Sequence, residues 1–186
     1  MPGPRVASGE RVTLRTVERE DVPFLQRADT DPAIRNPLGE TAKNLPAVEA
    51  DFEEQWGHDD AFLVCLDEDG AGSGHPDDGD VRPIGLCVAS GERRSRPVIG
   101  YWLVPEVHGQ GYGKEAVSLV IDYVFQVYSH PALGADAFAH NEASRRLLES
   151  LGFSLEGRLR KEEYWDGRYR DRVIYGLLRS EWQDRK

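Results

Sequence analysis

Val104-Pro105-Glu106-Val107-His108-Gly109-Gln110-Gly111-Tyr112-Gly113-Lys114-Glu115-Ala116 separates two apolar runs of different period. Before it, Val98-Ile99-Gly100-Tyr101-Trp102-Leu103-Val104 is β-branched and aromatic, the composition of a strand. After it, Ala116, Val117, Leu119, Val120, Val124 and Val127 recur at helical spacing, and Ile121 and Phe125 widen the apolar face. The order is strand, glycine-dense turn, helix. Such a turn leaves backbone N–H groups unpaired at the positive end of a helix, and glycine lets an anion come close to them. The turn is expected to hold a pyrophosphate.

Outward from the turn, the pattern predicts a mixed sheet. Upstream, Arg11–Val17 alternates as a half-buried strand does, Glu18–Ala28 and Pro46–Trp56 read as helices, and 61–66 and 83–89 read as strands in meander order. Asp31-Pro32 and Asn36-Pro37-Leu38-Gly39 read as loop, a wall for a second substrate. Downstream, 135–140 is a strand, Asn141 an N-cap, and Ala143, Leu147, Leu148 and Leu151 a helical stripe closed by Gly152. Two final strands, 153–165 and 168–178, flank the hairpin turn Asp166-Gly167. The expected fold is α+β (mixed α/β): about seven mostly antiparallel strands flanked by about four helices in one domain, 1–186. Residues 1–9 are expected to be a flexible terminus and 67–80, acidic and glycine-rich, a solvated hairpin loop containing a bystander His75.

Composition narrows the function. A net charge of −10, with 33 acidic against 23 basic side chains and only four lysines, argues against nucleic acid as a partner. The same acidity fits either a cationic acceptor or a halophilic source. No apolar stretch approaches the roughly 18 residues of a membrane span, and Met1-Pro2-Gly3-Pro4-Arg5 has no signal-peptide apolar core, so a cytoplasmic location is expected. Cys65 and Cys87 each lie in an apolar strand-like run and read as buried reduced thiols; no metal-ligand spacing accompanies them.

A P-loop requires Ser or Thr after Gly113-Lys114, where this chain has Glu115. A dinucleotide fingerprint beginning Gly109-Gln110-Gly111 requires glycine at the position of Lys114. Both motifs fail. The turn and its surroundings instead resemble the acetyl-CoA motif of the Gcn5-related N-acetyltransferases (GNAT), most of all the RimJ/RimL-type branch that acetylates the N-termini of ribosomal proteins. The parts that carry the resemblance are Ile99-Gly100-Tyr101-Trp102-Leu103, His108–Ala116, Asn141-Glu142-Ala143-Ser144, Leu151-Gly152-Phe153, Glu156-Gly157, Asp166-Gly167, Asp171 and Tyr175.

The resemblance implies a sheet splayed between its fourth and fifth strands, with acetyl-CoA as cosubstrate. The amides of His108, Gly109, Gln110, Gly111, Tyr112, Gly113 and Lys114 would hold the pyrophosphate. Backbone groups of Leu103 and Val104 would bind the pantetheine and polarise the thioester carbonyl. Asn141 would lie by the pantetheine arm, and Ser144 would donate a proton to the leaving thiolate. A tyrosine often does this in other branches, and none stands at the corresponding position. Some relatives carry a glutamate where this chain has Val98, so Glu92, Glu106 and His108 are the nearby candidates for a base, and none is assigned. Trp56, Tyr101, Trp102, Tyr164, Trp165 and Tyr169 read mainly as packing residues. The expected activity is direct acetyl transfer to an amine, either a protein N-terminal α-amine or a small amine, by a monomer or homodimer. The alternative is a non-catalytic acyl-CoA-binding regulator.

Overall fold

The computed structural model describes residues 2–56, 60–67, 81–91 and 95–185. One eight-stranded sheet runs in the order β1-β2-β3-β4-β5-β6-β8-β7. Its strands are β1 (Arg5–Ser8), β2 (Thr13–Thr16), β3 (Asp60–Asp67), β4 (Val81–Ser90), β5 (Val98–Leu103), β6 (Ala132–Phe138), β7 (Ser154–Trp165) and β8 (Arg168–Leu178). All neighbours pair antiparallel except β5 and β6, which are parallel. The expected mostly antiparallel α+β sheet is therefore the observed one, and its splayed fourth and fifth strands are β5 and β6.

Alternation sorts the sheet's side chains onto two helical layers. Phe62, Val64, Cys87, Ala89, Ile99, Leu133 and Ala135 face α4 (Tyr112–Val127) and α5 (Glu142–Ser150). Leu63, Cys65 and Leu86 face α1 (Val22–Thr30) and α3 (Leu45–Asp51). Helix α4 buries Ala116, Val117, Val120, Ile121 and Val124, and each of the larger aliphatics contributes roughly 1.5–3 kcal/mol by leaving water. The two cysteines are buried thiols on opposite faces of the sheet, with no disulfide between them. Helix α5 starts on Asn141, whose Oδ1 accepts from the Ser144 amide at 3.2 Å, and ends at Gly152 with φ +96°. The final hairpin turns on Asp166 (φ 50°) and Gly167 (φ 74°), as the Asp-Gly pair predicts.

Three expectations change. Residues 1–9 contain β1, which covers the open edge of β2 with Ala7 opposite Leu14 and Ser8 opposite Thr13, giving eight strands rather than seven. The stretch read as a proline-marked loop forms α2 (Pro32–Leu38). Asp31 accepts from the Ala33 amide at 2.8 Å, Pro32 sits in the first turn where its missing N–H costs nothing, and Gly39 (φ 78°) ends the helix. With α6 (Arg179–Gln183) the helices number six among the described residues. The strand read at 135–140 begins earlier, at Ala132, because Ala132 and Leu133 pair with Leu178 and Leu177. The acidic segment 68–80, with His75, lies outside the described residues.

One carboxylate ties the N-terminal edge to the centre. Glu115, in the first turn of α4, accepts from the amides of Arg11 (2.7 Å) and Val12 (3.2 Å), and from Arg11 Nε at 3.2 Å. Burial alone would raise its pKa, but these three hydrogen bonds and the guanidinium charge hold it below the ordinary value of 4.5. A lowered carboxylate pKa means stability that is full above the ordinary value and is lost as pH falls through the lowered one. Glu115→Gln should cost about 1–3 kcal/mol at neutral pH. It should also flatten the decline of melting temperature below pH 4.5, as read by thermal denaturation across a pH series.

Candidate active site

Strands β5 and β6 pair only at Val98 opposite Gly134 and Ile99 opposite Ala135. Beyond that rung they part, and the gap opens into a cleft of about 980 Å³. The cleft runs from the glycine turn (His108, Gly109, Gly111, Gly113, Lys114), past Tyr101, Leu103, Asn141 and Ser144, to α2 and the side chains of Asp136 and Arg172. The segment expected to wall a second substrate is a helix, and its Ala33, Ile34, Pro37 and Leu38 line the cleft.

The turn is shaped by left-handed glycines. Gly109 (φ 74°) and Gly111 (φ 88°) hold conformations that side chains disfavour, and a Cβ at Gly109 would point into open space. Gly111 is the N-cap of α4, so the first-turn amides of Tyr112, Gly113 and Lys114 have no partner within the helix. A Cβ on Gly113 would lie 3.0 Å from Leu147, which places the starts of α4 and α5 side by side. Lys114 and Arg146 line this end of the cleft. Arg11 braces it, donating to the Gln110 carbonyl at 2.9 Å and lying over the Tyr112 ring. Arg11 is paired with Glu115 and Arg146 with Glu142, so the Lys114 charge and the free amides of the helix start are what fit this end to an anion such as the CoA pyrophosphate.

Backbone direction along β5 corrects one expectation. Val104 donates its N–H to the Ile84 carbonyl at 2.8 Å, so its peptide faces β4. Alternation then turns the peptides of Tyr101 and Leu103 toward β6, across the gap. The backbone groups of Leu103 and Tyr101 thus face the gap, and those of Val104, expected to do so, do not. His108 Nε2 lies 2.8 Å from the Leu103 carbonyl and braces the strand end against the turn. That nitrogen is the donor in this contact, and His108 lines the cleft. Gln110 likewise braces the turn, donating to the Glu106 carbonyl at 3.0 Å. Glu106 does not line the cleft, and Glu92 lies outside the described residues.

Ser144 and Asn141 meet at the head of α5. Asn141 caps the helix and its Nδ2 donates to the Pro37 carbonyl at 3.4 Å, joining α5 to α2. Ser144 Oγ lies 2.9 Å from the Tyr101 hydroxyl. Sequence reasoning placed no tyrosine near Ser144, because Tyr101 belongs to a strand 43 residues earlier. Its one signal was alternation, which puts Ile99, Tyr101 and Leu103 on the α5 side of β5. Burial, the largest influence, pushes the Tyr101 pKa up despite the hydrogen bond to Ser144, so the phenol is neutral. Trp102 points to the opposite face, where its ring lies 5.7 Å from Phe24 and also lines the cleft. Tyr164 and Tyr169 pack on each other in the exposed hairpin, away from the cleft. Trp56's side chain is outside the described set.

Comparison with known proteins agrees with this geometry. The family model described as an acetyltransferase (GNAT) domain matches residues 11–154. The SPbeta prophage-derived uncharacterized N-acetyltransferase YokL of Bacillus subtilis is 26% identical over 182 residues, covering 95% of this chain and 94% of its own. Among solved structures, a spermidine N-acetyltransferase from Vibrio cholerae in complex with CoA and spermine superposes with a TM-score of 0.81 at 21% identity, covering 94% and 99% of the two chains. RimL, a ribosomal L7/L12 alpha-N-protein acetyltransferase in complex with CoA, gives 0.76 at 17% identity, covering 94% and 97%. No helix among the described residues is long and apolar enough to cross a membrane.

Gly111→Glu should abolish measurable CoA binding by calorimetry, since it sets a carboxylate among the anion-binding amides. It should also lower the melting temperature by a few degrees, because φ +88° strains any side chain.

Proposed function

The chain belongs to the GNAT family of acetyl-CoA-dependent N-acetyltransferases, and on that premise we propose that it acetylates the α-amine at a polypeptide N-terminus by direct transfer. The observation that carries the reading is the continuity of the cleft. It joins a basic, amide-lined end suited to the CoA phosphates with a second end open to solvent along α2, where Ala33, Pro37 and Glu40 are exposed. A chain whose terminal amine reaches the gap between β5 and β6 can continue outward past α2.

In this reading the Tyr101 and Leu103 backbone groups facing the gap bind the pantetheine arm like an added strand and polarise the thioester carbonyl. The neutral amine attacks that carbon, the C–N bond forms and the C–S bond breaks. An α-amine with an ordinary pKa near 8 supplies enough neutral form for water to accept its proton. The departing thiolate is protonated through the Ser144 hydroxyl, which regains its proton from the water that took one from the amine. Tyr101 supports this step by hydrogen-bond arithmetic. Its neutral hydroxyl has one proton and, among the described residues, finds only Ser144 acceptors, Oγ at 2.9 Å and the carbonyl at 3.4 Å. With Tyr101 donating to Oγ, the serine's own O–H is left to point into the cleft. Asn141 fixes the helix turn that presents it.

A second reading, transfer to a small polyamine, is favoured by the carboxylates of Glu40 and Asp136 at the acceptor end. Thiol release from acetyl-CoA separates the two, with N-terminal peptides expected to be turned over faster than spermidine and the reverse ranking selecting the polyamine. No release for any amine, with intact CoA binding, would select the non-catalytic regulator. Ser144→Ala should lower kcat about 100-fold with CoA affinity unchanged. Tyr101→Phe should lower it less and add nothing in the Ser144→Ala background. No cysteine takes part. Burial pushes the Cys87 thiol up to about 12 and the Cys65 side chain is equally buried, so alkylation at neutral pH should leave turnover intact.

A further inference from the structure

Where the β5–β6 ladder ends, two unlike residues line the opening gap. Ile99 opposite Ala135 is the last pair, and both side chains pack toward α4 and α5. One residue on, where the strands part, stand Gly100 on β5 and Asp136 on β6, and alternation turns both to the other face of the sheet, the side of α2. Gly100 is exposed, and a Cβ built on it meets no atom within 4 Å. Its φ is not in the left-handed region and it pairs in register with Val88, so neither backbone shape nor packing requires glycine there. Both residues line the cleft, with Trp102, Phe138 and Leu38 as apolar walls.

Asp136 is held on one side only. Arg172 donates through Nη1 to Asp136 Oδ1 and through Nη2 to Glu163. Asp136 Oδ2 has no partner among the described residues, and the side chain is 33% exposed. Two carboxylates share one guanidinium, so the trio as a whole is net negative; Asp136 and Arg172 line the cleft and Glu163 stands behind them. A carboxylate oxygen and a bare Cα on the two strands of the gap, with aromatic and aliphatic walls, are complementary to a small cationic head on an apolar stem.

We propose that Gly100 and Asp136 form the seat of the acceptor's primary ammonium: Gly100 is the floor that lets the nitrogen approach the gap, and Asp136 is its counter-ion before it loses a proton. The seat deepens the acetyltransferase reading above, since it names the recognition element for the amine. The ammonium can come from a polypeptide N-terminus or from the end of a polyamine, and Asp136 acts in binding, with no part in the acyl transfer.

The test measures acceptor binding to the protein–CoA complex by calorimetry, using a hexapeptide with a free N-terminus and spermidine as separate probes. Thiol release is recorded in parallel. Gly100→Val should weaken binding of the preferred acceptor at least about tenfold, leave CoA affinity within about twofold, and leave the melting temperature unchanged or higher, since valine suits a strand better than glycine. Gly100→Ala should show the same effect, smaller. Asp136→Asn should weaken binding about tenfold near pH 7, and the loss should shrink as pH rises through the pKa of the amine. Glu163→Gln, which alters only the other partner of Arg172, should bind the acceptor as the parent does. Unchanged acceptor affinity in Gly100→Val and Gly100→Ala, loss of CoA affinity in either, or a pH-independent Asp136→Asn effect would overturn the seat, as would failure of both probes to bind the parent. Acceptor binding that depends on Gly100 and Asp136 without thiol release would keep the seat and overturn the transfer reaction.

Discussion

Everything at the active site follows from the parting of β5 and β6. A sheet interior pairs its N–H and C=O groups almost completely, because a buried unpaired group loses its hydration without replacement. Here the ladder stops at Ile99 opposite Ala135, and the peptides of Tyr101 and Leu103 face a gap. The protein covers one of these groups itself, through His108 on the Leu103 carbonyl. The rest are left to water or to a bound molecule that presents amides of its own. The helices keep the gap from closing: α5 inserts Ser144 and Leu147 from one side, and α2, tied on through Asn141, stands at the other.

Charge along the cleft follows the same division. Lys114 stands at the glycine turn with Arg146 and Arg11, which are paired with Glu142 and Glu115, whereas Glu40 and the Asp136–Arg172 pair lie toward α2. On a chain of net charge −10, the overall field would repel a phosphate-bearing molecule. The Lys114 charge and the amide-rich start of α4 reverse that field over a few ångströms.

Most of the sheet was legible in the sequence because period-2 and period-3.6 patterns are local. The strand–turn–helix around Gly109 and Gly111, the Asn141 cap, the Gly152 stop and the Asp166-Gly167 hairpin each depend on residues close in the chain, and each appears where the pattern puts it. The misreadings have the opposite character. Arg5–Ser8 becomes a strand only because β2 offers an open edge, and Pro32–Leu38 becomes a helix through an Asp31 cap that a proline count hides. Tyr101 reaches Ser144 from a different element, and Val104 turns from the gap because β4 fixes the phase of β5. Strand pattern announces that β5 exists, and only its register with β4 announces which peptides face outward.

The Glu115 contact has a further consequence, for the order in which the molecule assembles. It joins the turn between β1 and β2 to a residue 104 positions later in the chain. During synthesis from the N-terminus, that turn has no partner until the start of α4 has left the ribosome. Closing so long a loop carries an entropy cost that only an already packed centre can offset. The first strands to be made are therefore among the last to lock, and a nascent chain stalled before residue 115 exposes the apolar face of β2 to chaperones.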